Sequence, residues 1–267
     1  MSIRQCGTPA APPRGAKAEK LPAKQKYHKN RSPQNAAYAA EKAQKMNTSP
    51  KKIKYDSVIF DLDGTLLDTL ADLHAAVNHS LKAFSLPERT VSEVRRFVGN
   101  GIRLLIERSV PEGTPAALCD KVFDEFKSYY AKNCENETKP YPGIPELMNM
   151  LKERGVPCAI VSNKADFAVK TLTDKFFPGL CAAAIGEREG IRKKPAPDSV
   201  FEAMRLIGSE NPVYVGDSEV DIATALAANI PCISVCWGFR SRDELIYAGA
   251  ENICETAEQL INALEDK

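Results

Sequence analysis

The run Val58-Ile59-Phe60-Asp61-Leu62-Asp63-Gly64-Thr65 constrains this chain more than any other stretch. Val58 to Phe60 read as a short buried strand. The strand stops at two acids one residue apart, followed by a glycine and a threonine. An unpaired buried carboxylate costs several kcal/mol, so such acids do not belong inside a packed core. They belong at the carboxyl edge of a sheet, where a cation neutralises them and where open α/β sheets bind ligands.

The pattern after this run has two parts. From Leu70 the apolar residues follow a helical period: Leu70, Leu73, Val77, Leu81 and Phe84 share one face. Pro87 ends that helix. Thr90 and Glu93 form a capping box for a second helix, Ile102 to Val110 read as a third, and Thr114 opens a fourth carrying Leu118, Val122, Phe126 and Tyr130. No strand pattern interrupts residues 70–140. Beyond Tyr141-Pro142-Gly143, helices (145–154, 165–177, 198–207, 219–228, 256–264) alternate with strands (156–161, 181–185, 213–215, 232–235). Repeated βα units mean a parallel sheet covered by helices on both faces. The expected fold is therefore α/β, a doubly wound parallel sheet with an inserted all-α cap. Residues 53–69 and 141–267 form the core, and residues 70–140 the cap.

The core strands end in polar clusters. One ends in Ser162-Asn163-Lys164 and another in Gly216-Asp217-Ser218-Glu219-Val220-Asp221; between them lies Lys194-Pro195-Ala196-Pro197-Asp198. Parallel strands share one carboxyl edge, so Asp61, Asp63, Ser162, Asn163, Asp217 and Asp221 converge, with Lys194 in reach. Clustered carboxylates repel one another unless a hard cation such as Mg²⁺ is present. An aspartate can attack phosphorus, a second acid can protonate a departing alkoxide and then activate water, and a hydroxyl, an amide and a lysine can hold phosphoryl oxygens.

These four stretches resemble, in order, the four motifs of the haloacid dehalogenase superfamily, and the resemblance covers residues 55–240. It implies a Rossmann-like core and phosphoryl transfer. It further implies that Asp61 is the nucleophile and Asp63 the general acid and base. Mg²⁺ would be held by Asp61, the backbone carbonyl of Asp63, and Asp217. Ser162 and Asn163 would bind the phosphoryl group beside Gly64 and Thr65, and Lys194 would balance its charge. Asp221 would orient Lys194 or, with Ser218, stand behind the metal. Asp63 argues against dehalogenases, which have no alkoxide to protonate, and against phosphonate-cleaving relatives, which carry a small residue there.

Phosphatases and hexose-phosphate mutases remain. The cap segment Phe97 to Leu105 is similar to that of phosphoglycolate phosphatases, which implies that Asn100, Gly101 and Arg103 meet the substrate, Arg103 at a carboxylate. A plain helix–helix turn is the other reading. The expected function is a Mg²⁺-dependent phosphatase of small phosphorylated metabolites, phosphoglycolate phosphatase-like. Alternatives are a β-phosphoglucomutase-like mutase, a pyrophosphatase, or a binding module without catalysis.

Charge and cysteine content set the remaining expectations. Residues 1–52 carry twelve Lys/Arg and two acids, leaving 24 basic against 33 acidic residues beyond them. That basic segment has almost no large aliphatic residues, so a disordered, solvated tail is expected rather than a nucleic-acid arm or a targeting peptide. Met46 is a second candidate start. No apolar span of about 18 residues predicts a membrane helix. The eight cysteines include no CxxC pair, which suits reduced thiols in the cytoplasm. The expected partners are a small phosphorylated substrate and at most a second copy, as monomer or homodimer, with neither membrane nor nucleic acid. Asp68 and Asp72 are read as acids favoured by a helix N-terminus.

Overall fold

A computed structural model describes residues 51–266; the tail expected over residues 1–52 lies, up to residue 50, outside the described residues. The first strand, β1 (Ser57–Phe60), is buried at every position. It leads through a tight turn to β2 (Leu67–Asp68) and then to four helices: α1 (Leu70–Ala83), α2 (Val91–Phe97), α3 (Ile102–Ser109) and α4 (Ala116–Asn133). The chain returns through β3 (Lys139–Pro140), which pairs antiparallel with β2. Its second strand, β3, lies within residues 70–140, where the sequence pattern showed no strand. It is too short for any period to register.

Beyond it run α5 (Ile144–Glu153), β4 (Cys158–Ala165), α6 (Asp166–Phe176), β5 (Ala183–Glu187), α7 (Asp198–Ile207), β6 (Pro212–Gly216), α8 (Glu219–Ala228), β7 (Cys232–Val235), α9 (Arg242–Tyr247), β8 (Ile253–Cys254) and α10 (Ala257–Leu264). Six strands form one parallel sheet in the order β5-β4-β1-β6-β7-β8. The chain steps outward from β1 on one side, then crosses back to build the other side. β1 therefore sits between β4 and β6, and the ends of these three strands meet.

Alternation along the strands sorts the core. Val58 and Phe60 of β1, Ile160 of β4 and Val213 and Val215 of β6 face one side, where they pack with Ile144, Leu147, Leu260 and Leu264 from α5 and α10. Ile59, Ala159, Val161 and Tyr214 face the other, against Val200 and Ala203 of α7 and Ala225 of α8. The helices α1 to α4 bury Leu73, Val77, Leu81, Val122, Phe126 and Tyr130, and this apolar core continues into the first side of the sheet.

The capping box of Thr90 and Glu93 is present. Thr114, by contrast, does not open α4: its hydroxyl donates to Pro111 O, and the helix begins at Ala116 after Pro115. Proline is well suited to the entry, since it brings no N–H that needs an acceptor. α9 and β8 were not anticipated; each is at most six residues long. The seven described cysteines are free thiols. Among the described residues no helix is long and apolar enough to cross a membrane.

Candidate active site

The turn after β1 is shaped by Gly64. Its backbone has φ of +86°, and a side chain there would collide with the Asp217 carboxylate. Only glycine combines that conformation with so close an approach. Thr65 donates its hydroxyl to Asp217 Oδ1 at 3.3 Å, and the Phe239 N–H donates to Oδ2 at 2.7 Å. Asp217 is thus aimed from two sides. Gly64 and Thr65 do not line the cavity at the strand ends; they hold a residue that does.

The carboxylates of Asp61, Asp217 and Asp221 each offer an oxygen within 4.8 Å of the others, and all three residues are buried. Lys194 Nζ lies 2.9 Å from Asp61 Oδ1 and 2.8 Å from Asp221 Oδ1. Asp221 is committed elsewhere: Oδ1 also accepts from the Tyr214 hydroxyl at 3.2 Å, and Oδ2 accepts from the Ser218 N–H and hydroxyl at 3.1 and 2.6 Å. With both oxygens in use, Asp221 acts as a holder of Lys194. Among the described residues each Asp217 oxygen accepts only one hydrogen bond and Asp61 meets only Lys194, so these two carboxylates keep lone pairs for a ligand. This donor set, buried and all oxygen, suits a small hard cation.

Burial sets the protonation of this cluster. It pushes Asp61 up to about 7, with Lys194 opposing and the charges on Asp221 and Asp63 adding to the rise. Asp217 is raised well above the ordinary carboxylate range, again by burial first and then by Asp221 and Asp61. Burial opposes charge on Lys194, but Asp221 and Asp61 outweigh it and hold its pKa above the ordinary lysine value.

Asp63 faces a second cation that the sequence reading left without a role. Lys164, the last polar residue of the Ser162-Asn163-Lys164 cluster, lies 2.8 Å from Asp63 Oδ1 and donates to the Tyr130 hydroxyl at 2.5 Å. Its position beside Ser162 was the available signal. Tyr130 stands at a core position of its helix and carries the hydroxyl that meets Lys164. Arg240 also went unnoticed: buried after β7, it pairs with Glu219 and donates to the carbonyls of Arg95 and Val98. No local pattern marks it.

Asp61, Asp63, Ser162, Asn163, Lys194, Asp217, Ser218 and Gly101 line one cavity. The Asn163 amide, expected to bind a phosphoryl group, is already engaged. It donates to Gly99 O and Lys194 O and accepts from the Lys194 N–H, at 3.1, 3.0 and 2.8 Å. It ties three segments together rather than offering a free donor. Gly101, at φ of +88°, starts α3 at the cavity wall.

Arg103 is elsewhere. Its guanidinium is held by Glu107 and Asp120 at 2.7 and 2.6 Å on the outer face of α3. It borders a separate groove with Glu187 and Arg188. Asn100, like Arg103, is absent from the cavity wall. One turn of α3 separates Arg103 from Glu107, and that i,i+4 pair directs the side chain outward. Trp237 also stays off the wall, donating its indole N–H to Thr65 O at 3.0 Å.

A parallel sheet with paired aspartates at the end of its central strand, a buried lysine between two carboxylates and a helical insert defines a hydrolase of the phosphoryl-transfer type. Residues 58–235 match the haloacid dehalogenase-like hydrolases, and the chain belongs to that family. It is 36% identical over 193 residues to a phosphoglycolate phosphatase of Mesorhizobium japonicum, covering 69% of this chain and 84% of that one. It is 31% identical over 185 residues to one of Aquifex aeolicus, covering 68% and 85%. The crystal structure of a Lactobacillus delbrueckii protein assigned as a phosphoglycolate phosphatase superposes with a TM-score of 0.76 at 38% identity, covering 80% of this chain and all of that one. By these relatives the chain is a phosphatase.

Proposed function

We propose that the protein hydrolyses short phosphate monoesters through an aspartyl-phosphate on Asp61, with Mg²⁺ as cofactor and phosphoglycolate as the leading substrate. The observation that carries this reading is the pairing of two aspartates, one residue apart, with two separate buried lysines in one cavity: Lys194 on Asp61 and Lys164 on Asp63. Each carboxylate has its own partner and hence its own task. The substrate rests on the relatives named above.

In the first half-reaction an Asp61 oxygen bonds to phosphorus and the bond from phosphorus to the leaving oxygen breaks. Asp63, in its acid form, gives that oxygen its proton. In the second half Asp63 takes a proton from water, the water oxygen bonds to phosphorus, and the Asp61–phosphorus bond breaks, releasing inorganic phosphate. Lys194, fixed by Asp221 and Tyr214, faces the oxygens of the transferring group, and Ser162 adds a hydroxyl. The cation would be held by Asp61, Asp217 and the Asp63 carbonyl, and when bound it would offset charge gathering between nucleophile and phosphoryl group.

Phosphate release from p-nitrophenyl phosphate and phosphoglycolate, with Mg²⁺ and with chelator, tests the reading. Turnover is expected only with the cation, and Asp61→Asn is expected to abolish it, because an amide is neither a nucleophile nor a good cation ligand. Turnover by Asp61→Asn within tenfold of the parent would sink the nucleophile assignment.

A further inference from the structure

The cavity that holds the aspartates also holds whatever the phosphoryl group is attached to. Four cationic side chains line it: Lys127, Lys164, Lys194 and Arg240. Lys194 is committed to Asp61 and Asp221. Arg240 is spent on Glu219, at 2.8 and 3.0 Å, and on two backbone carbonyls. Lys127 is half exposed and pairs with Asp124 on its own helix at 2.9 Å. With Arg103 on the outer face of α3, none of these three is placed to read a second charge on a substrate.

Lys164 differs. Its ammonium has three donors. Asp63 and the Tyr130 hydroxyl take two of them, and the third has no acceptor among the described residues. Tyr130 accepts from Lys164, so its own hydroxyl hydrogen is left over, also without an acceptor among the described residues. Both residues are buried and both line the cavity. Two leftover donors thus sit side by side on the cavity wall, one of them on a cation. Unmade bonds on buried donors are costly, and a group with two adjacent anionic oxygens supplies both acceptors at once.

We infer that Lys164 and Tyr130 form the subsite for a carboxylate borne by the leaving group of the substrate. The inference rests on the phosphatase reading above. Lys164 is bonded to Asp63, the residue that faces the leaving oxygen. A carboxylate held there is therefore only one or two carbons from that oxygen, which fits a short phosphorylated hydroxy acid. Lys164 comes from β4 and Tyr130 from α4 of the helical insert, so the subsite exists only when the two parts are closed on each other.

The test compares phosphoglycolate with ethyl phosphate, which matches it in length and lacks the carboxylate. Lys164 also touches Asp63, so Lys164→Met is expected to slow both substrates; the ratio of their kcat/KM values isolates the subsite. That ratio is expected to fall about 100-fold or more in Lys164→Met, the loss typical of a broken buried charge contact. In Tyr130→Phe, which keeps the ring, it is expected to fall roughly tenfold. An unchanged ratio in Tyr130→Phe and Lys164→Met would show that the pair only positions Asp63, and would overturn the subsite. Should Lys164→Met not fold, Tyr130→Phe decides alone. A parent enzyme that hydrolyses both esters without preference would overturn the subsite and leave the phosphatase reading standing. A parent inactive on every phosphate ester would overturn both.

Discussion

Asp72 offers the sharpest test of how the insert is fastened. It sits in the first turn of α1, where a carboxylate is favoured by the helix dipole. The structure gives it a different partner set. It is buried, and it accepts from the Glu137 N–H at 3.0 and 3.1 Å, the Thr138 N–H at 2.9 Å and the Thr138 hydroxyl at 2.8 Å. One side chain thus ties the start of the insert to its end, just before β3. The dipole alone is worth about 0.3–1 kcal/mol. Hydrogen bonds to a charged group contribute about 1.5–3 kcal/mol each, and each stranded donor costs about 1–3 kcal/mol. Asp72→Ala strands two backbone N–H groups and a hydroxyl, so it should destabilise by about 3–5 kcal/mol. Asp72→Asn keeps one carbonyl acceptor and should cost about half of that. Urea unfolding monitored by circular dichroism measures both as shifts in midpoint. A cost below about 1 kcal/mol for Asp72→Ala would return Asp72 to a dipole role and refute the clasp.

Two further outcomes are expected. Gly64→Ala places a methyl group against the Asp217 carboxylate at a backbone angle that costs about 1–3 kcal/mol for other residues; phosphatase assays should show kcat/KM lowered at least tenfold, and parental activity would mean that the turn yields freely. Asp56 is held below the usual carboxylate range: burial works the other way, but hydrogen bonds from Ser209, Glu210 and Asn211 prevail. Its stabilisation is therefore full above the unfolded value near pH 4 and is lost as pH falls through the folded value, so the stability gap between parent and Asp56→Asn should shrink in acid titrations; a gap that widens there would contradict the sign.

Much of the fold was legible because it rests on long-period signals. β1, α7, α8 and β7 each combine a clear apolar pattern with a polar or glycine boundary, and their sequence ranges match the structure closely. The β2–β3 ribbon and β8 are two residues per strand, below the length at which alternation means anything. At the site, residues fixed by chain-local geometry were readable: Asp61, Asp63 and Asp217 follow strand ends, Asp221 stands in the first turn of the helix after β6, and strand ends converge in any parallel sheet. Lys164 and Arg240 were not, because their importance lies in partners 101 and 142 residues away. Arg103 failed for the opposite reason. Its segment looked functional, but a side chain on a helix answers first to the neighbour one turn on, and Glu107 takes it outward.

The charge carried by the strand-end cluster leads to a last prediction. Asp61, Asp63, Asp217 and Asp221 carry four negative charges, and Lys164 and Lys194 return two. Arg240 is matched by Glu219. Two uncompensated negative charges in a buried place call for two protons or one divalent cation. Without the cation, protons are the remedy: burial first, and then the charges on Asp221 and Asp63, raise Asp61 to about 7. A raised folded value means that the native state holds a proton the unfolded chain has released. The corresponding stability is present below the unfolded value near 4 and is lost as pH rises through about 7. The chelated protein should therefore melt lower as pH climbs across that window, and Mg²⁺ should restore the loss. A ligand bound only by the native state adds about 2.7 kcal/mol at 100 times its dissociation constant, or roughly 5–11 °C in a domain of this size. Asp217→Asn removes one of the surplus charges. It should melt above the parent in chelator and below it in Mg²⁺, a crossing that a merely damaged fold cannot produce. Differential scanning calorimetry reads both curves. A parent indifferent to Mg²⁺, or an Asp217→Asn variant with the full shift, would mean that this cluster is not where the cation binds.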